Sequence, residues 1–241
     1  MRIIENVKIA LDTYKMVLQP TGSEIEKLKA LVPGQFINIK IEGFYLRRPI
    51  SIADWNDESL TIIYKVVGKG TKALSEMEIG IELDILWPLG NGYNLTWIPH
   101  SAILIGGGVG VPPMYGLAKK LVEEGKMPRI ILGFREKNQV FYDNEFRKLG
   151  LEVTVYTEDG SYGEKGFVTN GFNQAEYVCA CGPERMLEAI YHKAQDGQYS
   201  FEARMACGFG GCMGCSCETL VGNKRICKEG PVLIHKELLW M

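Results

Sequence analysis

Hydrophobic positions follow two different rules along this chain. Up to about residue 98, short runs alternate apolar with polar residues or are rich in β-branched ones: Arg2–Ala10, Tyr14–Gln19, Gln35–Ile41, Leu60–Val67 and Glu82–Trp87. Turn formers separate them, at Pro20-Thr21-Gly22, Pro33-Gly34 and Asn56-Asp57. Runs of this kind bounded by such residues predict strands. One brief helical stretch, Thr71–Met77, interrupts them. Many short strands around one short helix predict a small antiparallel β-barrel.

After Pro99 the period changes. Ala102–Ile105 reads as a buried strand, and Pro112–Glu124 carries apolar residues at helical spacing through Met114, Leu117, Ala118, Leu121 and Val122. Strands are then predicted at Arg129–Phe134, Glu152–Tyr156 and Tyr177–Ala180, with helices at Phe141–Leu149 and Glu184–Gln195. Such alternation predicts an α/β unit, a parallel sheet with helices on its faces. The remaining stretch, Gly197–Met241, is rich in Gly and Cys and has too few apolar residues for an ordinary core. It needs another source of stability. Three units are therefore expected, at 1–98, 99–197 and 198–241.

Composition narrows the function classes. The 241 residues are 46% hydrophobic and 23% charged, with a formal net charge of −2, so no global basic field points to nucleic acid. The apolar run Ala102–Ile105 is far too short to span a bilayer. The opening Met1-Arg2-Ile3-Ile4-Glu5 lacks a secretory apolar region, so the expected compartment is the cytoplasm.

Seven cysteines in such a chain point to metal rather than disulfides, because five of them fall between Cys207 and Cys227. The spacing Cys207-x4-Cys212-x2-Cys215-x11-Cys227 matches the plant-type ferredoxin pattern that ligates a 2Fe–2S cluster. A loop that brings several thiolates and backbone N–H groups to one place needs unusual dihedrals, and Gly208, Gly210, Gly211 and Gly214 supply them. Structural zinc is the alternative, but it more often uses two C-x2-C pairs, and only one exists here. Cys217 is left over and reads as a packed thiol.

Ala102–Ile105 runs into Gly106-Gly107-Gly108-Val109-Gly110-Val111-Pro112-Pro113. A strand, a glycine-rich turn and a helix present helix N-terminal N–H groups to a pyrophosphate. Pro113 stands where the Rossmann fingerprint has its third glycine, and proline in a first helical turn is tolerated. The signal gains weight from Cys181-Gly182-Pro183-Glu184, which ends a later strand and opens another helix at what should be the same sheet edge. A tight turn without a ligand is the alternative.

In Leu46-Arg47-Arg48-Pro49-Ile50-Ser51, Arg48 and Ser51 stand three residues apart at a strand start. The arginine can pair with a phosphate in two-pronged fashion and the serine adds a donor. Gly68-Lys69-Gly70-Thr71 opens a short helix, a second anion-ready N-terminus. A solvated edge charge that limits sheet aggregation is the plainer reading of Arg47 and Arg48.

Taken in order, these pieces resemble the ferredoxin reductase superfamily, with a flavin barrel first and a nicotinamide-nucleotide domain second. The family's Arg-x-x-Ser motif corresponds to Arg48, Pro49, Ile50 and Ser51, its second flavin strand to Ile63, Tyr64 and Lys65, and its phosphate turn to Gly70 and Thr71. The nucleotide loop corresponds to Gly107, Gly108, Gly110 and Pro113, and the Cys-Gly-Pro element to Cys181, Gly182 and Pro183. Within the superfamily the chain is most similar to the electron-transfer subunits of class B, NAD-dependent dihydroorotate dehydrogenases. Pro88–Gly92, Glu202–Gly208 and Cys227–Val232 carry that likeness together with Arg48–Ser51. Ile50 is a departure, standing where many superfamily members carry a tyrosine that stacks on the isoalloxazine.

The resemblance implies FAD, a 2Fe–2S cluster held by Cys207, Cys212, Cys215 and Cys227, NAD, and an FMN-bearing catalytic partner in a two-plus-two heterotetramer. It implies a role in pyrimidine biosynthesis, with dihydroorotate oxidised on the partner. The residues themselves support the set of cofactors: a nicotinamide moves two electrons, a 2Fe–2S cluster one, and a flavin between them converts one mode into the other. His100, His192 and His235 lie outside the motifs, and no Ser–His–Asp or paired-carboxylate arrangement is discernible. Glu136 suits a ribose 2′-OH and Arg135 a 2′-phosphate, so the residues leave NAD and NADP open, while the resemblance implies NAD. Two other readings stay open: a small flavin and iron–sulfur subunit of a ferredoxin:NADP oxidoreductase, sulfide dehydrogenase or hydrogenase, and a non-enzymatic, zinc-stabilised regulatory protein.

Overall fold

The structure is a computed structural model that describes residues 1–174 and 176–240. Ala175, inside the expected nucleotide unit, and Met241, the end of the expected cysteine segment, lie outside the described residues.

Six antiparallel strands build the first unit: β1 (Arg2–Ala10), β2 (Thr13–Gln19), β3 (Phe36–Ile39), β4 (Arg48–Trp55), β5 (Leu60–Lys65) and β6 (Ile85–Leu89). Their order is β1-β2-β5-β4-β3-β6. The segment entering β6 returns alongside β1, with Ile3 N donating to Ile81 O at 2.9 Å and Leu83 N to Met1 O at 2.7 Å. This closes the sheet, as the alternating pattern predicted. Alternation also decides what goes inside: Ile37 and Ile39 of β3 join Ile3, Met16, Leu18, Ile52 and Ile62 in the barrel core, all essentially solvent-free. Each such side chain contributes about 1.5–3 kcal/mol by leaving water. Phe36 and Asn38, the alternate residues of β3, therefore face the opposite way. A 3-10 stretch, Gly22–Ala30, follows β2 outside the alternating pattern and packs Leu28 into the same core. The short helix α1 (Lys69–Ser75) starts two residues earlier than its pattern predicted.

The second unit is built from β7 (Ile103–Gly107), α2 (Val111–Glu123), β8 (Arg129–Phe134), α3 (Asp143–Lys148), β9 (Val153–Thr157), β10 (Glu164–Lys165), β11 (Tyr177–Cys181), α4 (Glu184–Tyr191) and β12 (Asp196–Ser200). Its sheet runs β10-β9-β8-β7-β11-β12 in parallel. Two helices are shorter than their apolar spacing implied. Tyr142 takes a left-handed conformation, φ 66°, so α3 begins only at Asp143. The end of the expected Glu184–Gln195 helix turns after Tyr191 to feed β12.

The cysteine segment contributes the hairpin β13 (Ser216–Thr219) and β14 (Gly222–Arg225), then β15 (Val232–Ile234). β15 pairs antiparallel with β12 and becomes the seventh strand of the nucleotide sheet. Leu233, Ile226, Cys215 and Cys227 pack in one buried cluster with Tyr199, Leu187 and Ile190 of that sheet and its helix. The segment thus obtains part of the core it lacks by borrowing from its neighbour, and β12 spans the expected boundary at 197/198. His235 packs in the same region, stacked on Tyr191 at 4.2 Å and hydrogen-bonded to Tyr199 Oη at 3.1 Å.

The barrel and the nucleotide sheet are joined through α2. A Cβ on Gly116 would lie 2.8 Å from Ala53 O, so the helix can approach β4 only because it has none there. Lys119 Nζ then reaches Asp54 Oδ1 at 2.8 Å. From the barrel side, Tyr93 is fully buried and donates its hydroxyl to Ala180 O at 3.0 Å.

Candidate cofactor cleft and cysteine lobe

A cleft of about 330 Å³ opens where the barrel meets the nucleotide sheet. One wall is barrel. Arg48, Pro49, Ile50 and Ser51 lie along β4, Ile63, Tyr64 and Lys65 along β5, and Thr71 in the first turn of α1. Every one of these was expected from the sequence. Gly70 does not line the cleft, but a Cβ there would overlap the Arg48 guanidinium, so the glycine leaves room for that side chain to lie over the helix start. Arg48 is held further by donating to Leu46 O and by lying 5.1 Å above the Phe44 ring. A fixed guanidinium beside a helix N-terminus suits a phosphate. Tyr64 donates to Asn6 Oδ1 at 2.9 Å, and burial raises its phenol above the usual range, so it stays neutral.

The opposite wall comes from the nucleotide sheet. Cys181 ends β11 and faces the cleft, as does Val109 of the glycine-rich turn. β7 and β11 are neighbours, with Ile105 paired to Ala180 and Gly106 to Cys181. The turn after β7 and the Cys-Gly-Pro element therefore meet at one sheet edge. A Cβ on Gly110 would overlap the Cys181 carbonyl, one on Gly182 would lie 3.2 Å from Gly107 Cα, and one on Gly107 would strike Met186 and Pro183. Gly108 has a positive φ of 52° and open space around it. Pro113 is buried in the first turn of α2 and does not reach the cleft. This edge, at the carboxyl ends of parallel strands, is where open α/β sheets receive nucleotides. Burial raises the Cys181 thiol to about 12, with the Glu202 charge adding to the rise and contact with Ser200 opposing it. It is a protonated thiol at neutral pH.

The floor was less legible. Phe36, Ser200, Phe201, Glu202, Met205 and Pro231 all line the cleft. Glu202 has its carboxyl raised by burial. Phe36 could have been found from the β3 alternation, since it sits two residues from Asn38 on the outward face. Nothing local marks Ser200 or Phe201, which depend on β12 ending beside β11.

From Met205 the chain runs directly into the cysteine lobe. Cys212 is exposed, Cys207 half-buried, and Cys215 and Cys227 buried. The four thiols form two pairs, Cys207 with Cys212 and Cys215 with Cys227. Backbone N–H groups point at three of the sulfurs: Gly211 N to Cys207 Sγ at 3.3 Å, Gly214 N to Cys212 Sγ at 3.4 Å and Cys227 N to Cys215 Sγ at 3.4 Å. Left-handed conformations at Gly208, Gly210 and Met213 turn the loop around them. Burial pushes the Cys207 thiol up, but the N–H groups of Phe209, Cys212 and Gly211 and the Cys212 thiol bring it down to about 6. Burial, then the Cys215 partner, pushes Cys227 up to about 12. Among the described residues no three His, Cys, Asp or Glu side chains converge as a single ion requires. Two thiol pairs ringed by N–H donors fit a two-iron cluster better than one tetrahedral zinc. Arg225 braces the loop, bonded to Gly210 O at 2.6 Å and to the Glu229 carboxylate. Cys217 sits half-buried on β13, outside the two pairs.

Known proteins match this arrangement along the whole chain. Residues 202–239 match the iron–sulfur cluster binding domain of dihydroorotate dehydrogenase B, and residues 104–192 the oxidoreductase NAD-binding domain. A chain of an NADH-dependent reduced ferredoxin–NADP oxidoreductase superposes with a TM-score of 0.87 at 30% identity, over 99% of this chain and 89% of that one. The electron transfer subunit of dihydroorotate dehydrogenase B (NAD(+)) from Fusobacterium nucleatum is 43% identical, over 97% of this chain and 95% of its own length. Its counterpart from Bacillus pumilus is 39% identical, over 98% and 96%. With barrel, nucleotide sheet and cysteine lobe all accounted for, the chain belongs to the family of electron transfer subunits of dihydroorotate dehydrogenase B.

Proposed function

We propose that the chain carries electrons from the FMN of a dihydroorotate dehydrogenase catalytic subunit, through a 2Fe–2S cluster and FAD, to NAD+, in the orotate-forming step of pyrimidine biosynthesis. The observation that carries this reading is one of continuity. The segment that floors the cleft leads on into Cys207, and its Phe201, Glu202 and Ala203 also line a second pocket that Cys215 borders.

When bound, the flavin would supply the exchange between two-electron and one-electron transfer. The chain's own residues do the rest. Arg48, with Gly70 and Thr71, holds the flavin's phosphates; Pro49, Ile50 and Ser51 and the β5 residues Ile63, Tyr64 and Lys65 form the bed for its ring. Gly107, Gly108 and Gly110, with Cys181, Gly182 and Pro183, shape the sheet edge that receives NAD, and Pro113 starts the helix behind it. Cys181 and Glu202 line the cleft between these two sets of residues, where they would border a bound nicotinamide and flavin. Cys207, Cys212, Cys215 and Cys227 ligate the cluster, and the exposure of Cys212 puts it within reach of another redox centre. The partner bears FMN and assembles with this chain two-plus-two, in the cytoplasm.

The test is anaerobic dihydroorotate-dependent reduction of NAD+ by this chain co-expressed with the FMN-type catalytic subunit of its organism, against the catalytic subunit alone. NADH formation that requires this chain and disappears with Cys212→Ala is the expected result. No NADH from a complex shown to hold FMN, FAD and iron would overturn the dihydroorotate assignment. The likeness to the ferredoxin–NADP oxidoreductase chain favours, as second reading, the same module serving a different partner.

A further inference from the structure

We infer that Asn38 is a positioning residue that holds the Cys207 turn against the flavin strand and so sets the transfer between flavin and cluster; this rests on the cofactor placement proposed above. Asn38 lies in the middle of β3, 1% exposed. Its backbone pairs with Pro49 on one side and Leu86 on the other, so it is the direct neighbour of the Arg48–Ser51 bed. Its side chain leaves the barrel on the same face as Phe36, toward the cysteine lobe, and Nδ2 donates to Cys207 O at 3.4 Å. The two residues are 169 apart in sequence. A Cβ on Gly208 would overlap this same Nδ2, and Gly208 has a φ of 80°. The turn that follows the first thiol is therefore shaped around the carboxamide.

The other half of the amide is informative. Asn38 Oδ1 is buried with no hydrogen-bond partner among the described residues. A buried polar atom left unpaired is costly, and a leucine has the same branched shape without that cost. Packing therefore does not account for an amide here; the donor to Cys207 O does. Outer-shell bonds of this kind orient metal ligands without touching the metal.

Asn91 anchors the far side of the lobe in the same manner. Its Nδ2 donates to Glu229 O at 2.9 Å and Val232 O at 2.8 Å, while its Oδ1 accepts from Val232 N at 3.1 Å. That asparagine grips the strap beyond Cys227. Asn38, beside the flavin bed, instead bonds a cysteine's own backbone.

The experiment compares wild type with Asn38→Leu, which keeps the branched shape and removes the donor, and Asn38→Ser, which keeps a donor on a shorter arm, each in complex with the catalytic subunit. NADH is mixed anaerobically with the oxidised complex, flavin bleaching and cluster reduction are followed separately, and the reduced cluster's EPR spectrum is recorded. The expected result for Asn38→Leu is unchanged flavin reduction, cluster reduction slower by about tenfold, the lower end of what outer-shell partners contribute, and displaced EPR g values. Asn38→Ser falls between, and carries the test if the leucine variant does not fold. Wild-type rates with a wild-type EPR spectrum overturn the inference. So does an equal slowing of flavin and cluster reduction, which would make Asn38 part of the flavin bed alone. A wild-type complex lacking flavin or iron would instead refute the cofactor placement.

Discussion

The carbonyl group of Cys181 occupies the space in which a side chain on Gly110 would begin. That contact closes the glycine-rich turn after β7 onto the end of β11, and it explains why one motif reinforces the other although 71 residues separate them. Gly110→Ala should force the two loops apart. We expect a loss of about 1–3 kcal/mol in stability, as for other overpacked sites, and a raised KM for NADH with flavin content unchanged. Thermal unfolding and steady-state kinetics with a flavin-specific acceptor check this.

Arg48 reaches across the start of α1 and is, among the described residues, the one guanidinium lining the cleft. Arg48→Ala should weaken flavin binding by about tenfold to a hundredfold, the worth of a charge-assisted bond. Arg48→Lys should recover part of it, since an ammonium replaces charge but not the fork. Equilibrium dialysis of the flavin, followed by fluorescence, measures both. Equal affinity in all three proteins would show that the arginine serves only the sheet edge.

The two thiol pairs separate ligand from bystander. Cys212→Ser should lower bound iron and erase the visible charge-transfer bands, whereas Cys217→Ser should keep both. Iron assay and absorbance on anaerobically purified protein decide it. Iron loss in the Cys217 variant would redraw the ligand set.

Arg225 holds Glu229 at about pKa 2, below its ordinary 4.5. A carboxyl whose pKa is depressed by folding stabilises the protein above its unfolded value, and loses that contribution as pH falls through the folded one. The melting-temperature advantage of wild type over Glu229→Gln should therefore be full near pH 6 and shrink between about pH 4.5 and 2. A pH-independent difference would mean that the Glu229 bonds do not depend on its charge. Because the pair is partly exposed, the advantage should also fall with added salt.

Much of this protein follows from local pattern. Period-two runs located five of the six barrel strands, and the Arg48–Ser51 bed marked the sixth. The change of period after Pro99 located the parallel sheet, and the cysteine spacing favoured a two-iron cluster over zinc. These features are legible because each depends on neighbours a few residues away: alternation, turn chemistry, ligand spacing. What the tertiary structure alone decided involves partners far apart in sequence. The cysteine segment reads as too poor in apolar residues to fold, and it is, until β15 pairs with β12 and Leu233 and Ile226 enter the core of the nucleotide sheet. Ser200 and Phe201 carry no signature and enter the cleft because β12 ends beside β11. Asn38 reads as an ordinary polar position in a strand; only the closed barrel shows that its outward face meets Cys207. Local physics names the cofactors a chain is built for, while the distances between them are set by contacts that exist only once the chain has closed on itself.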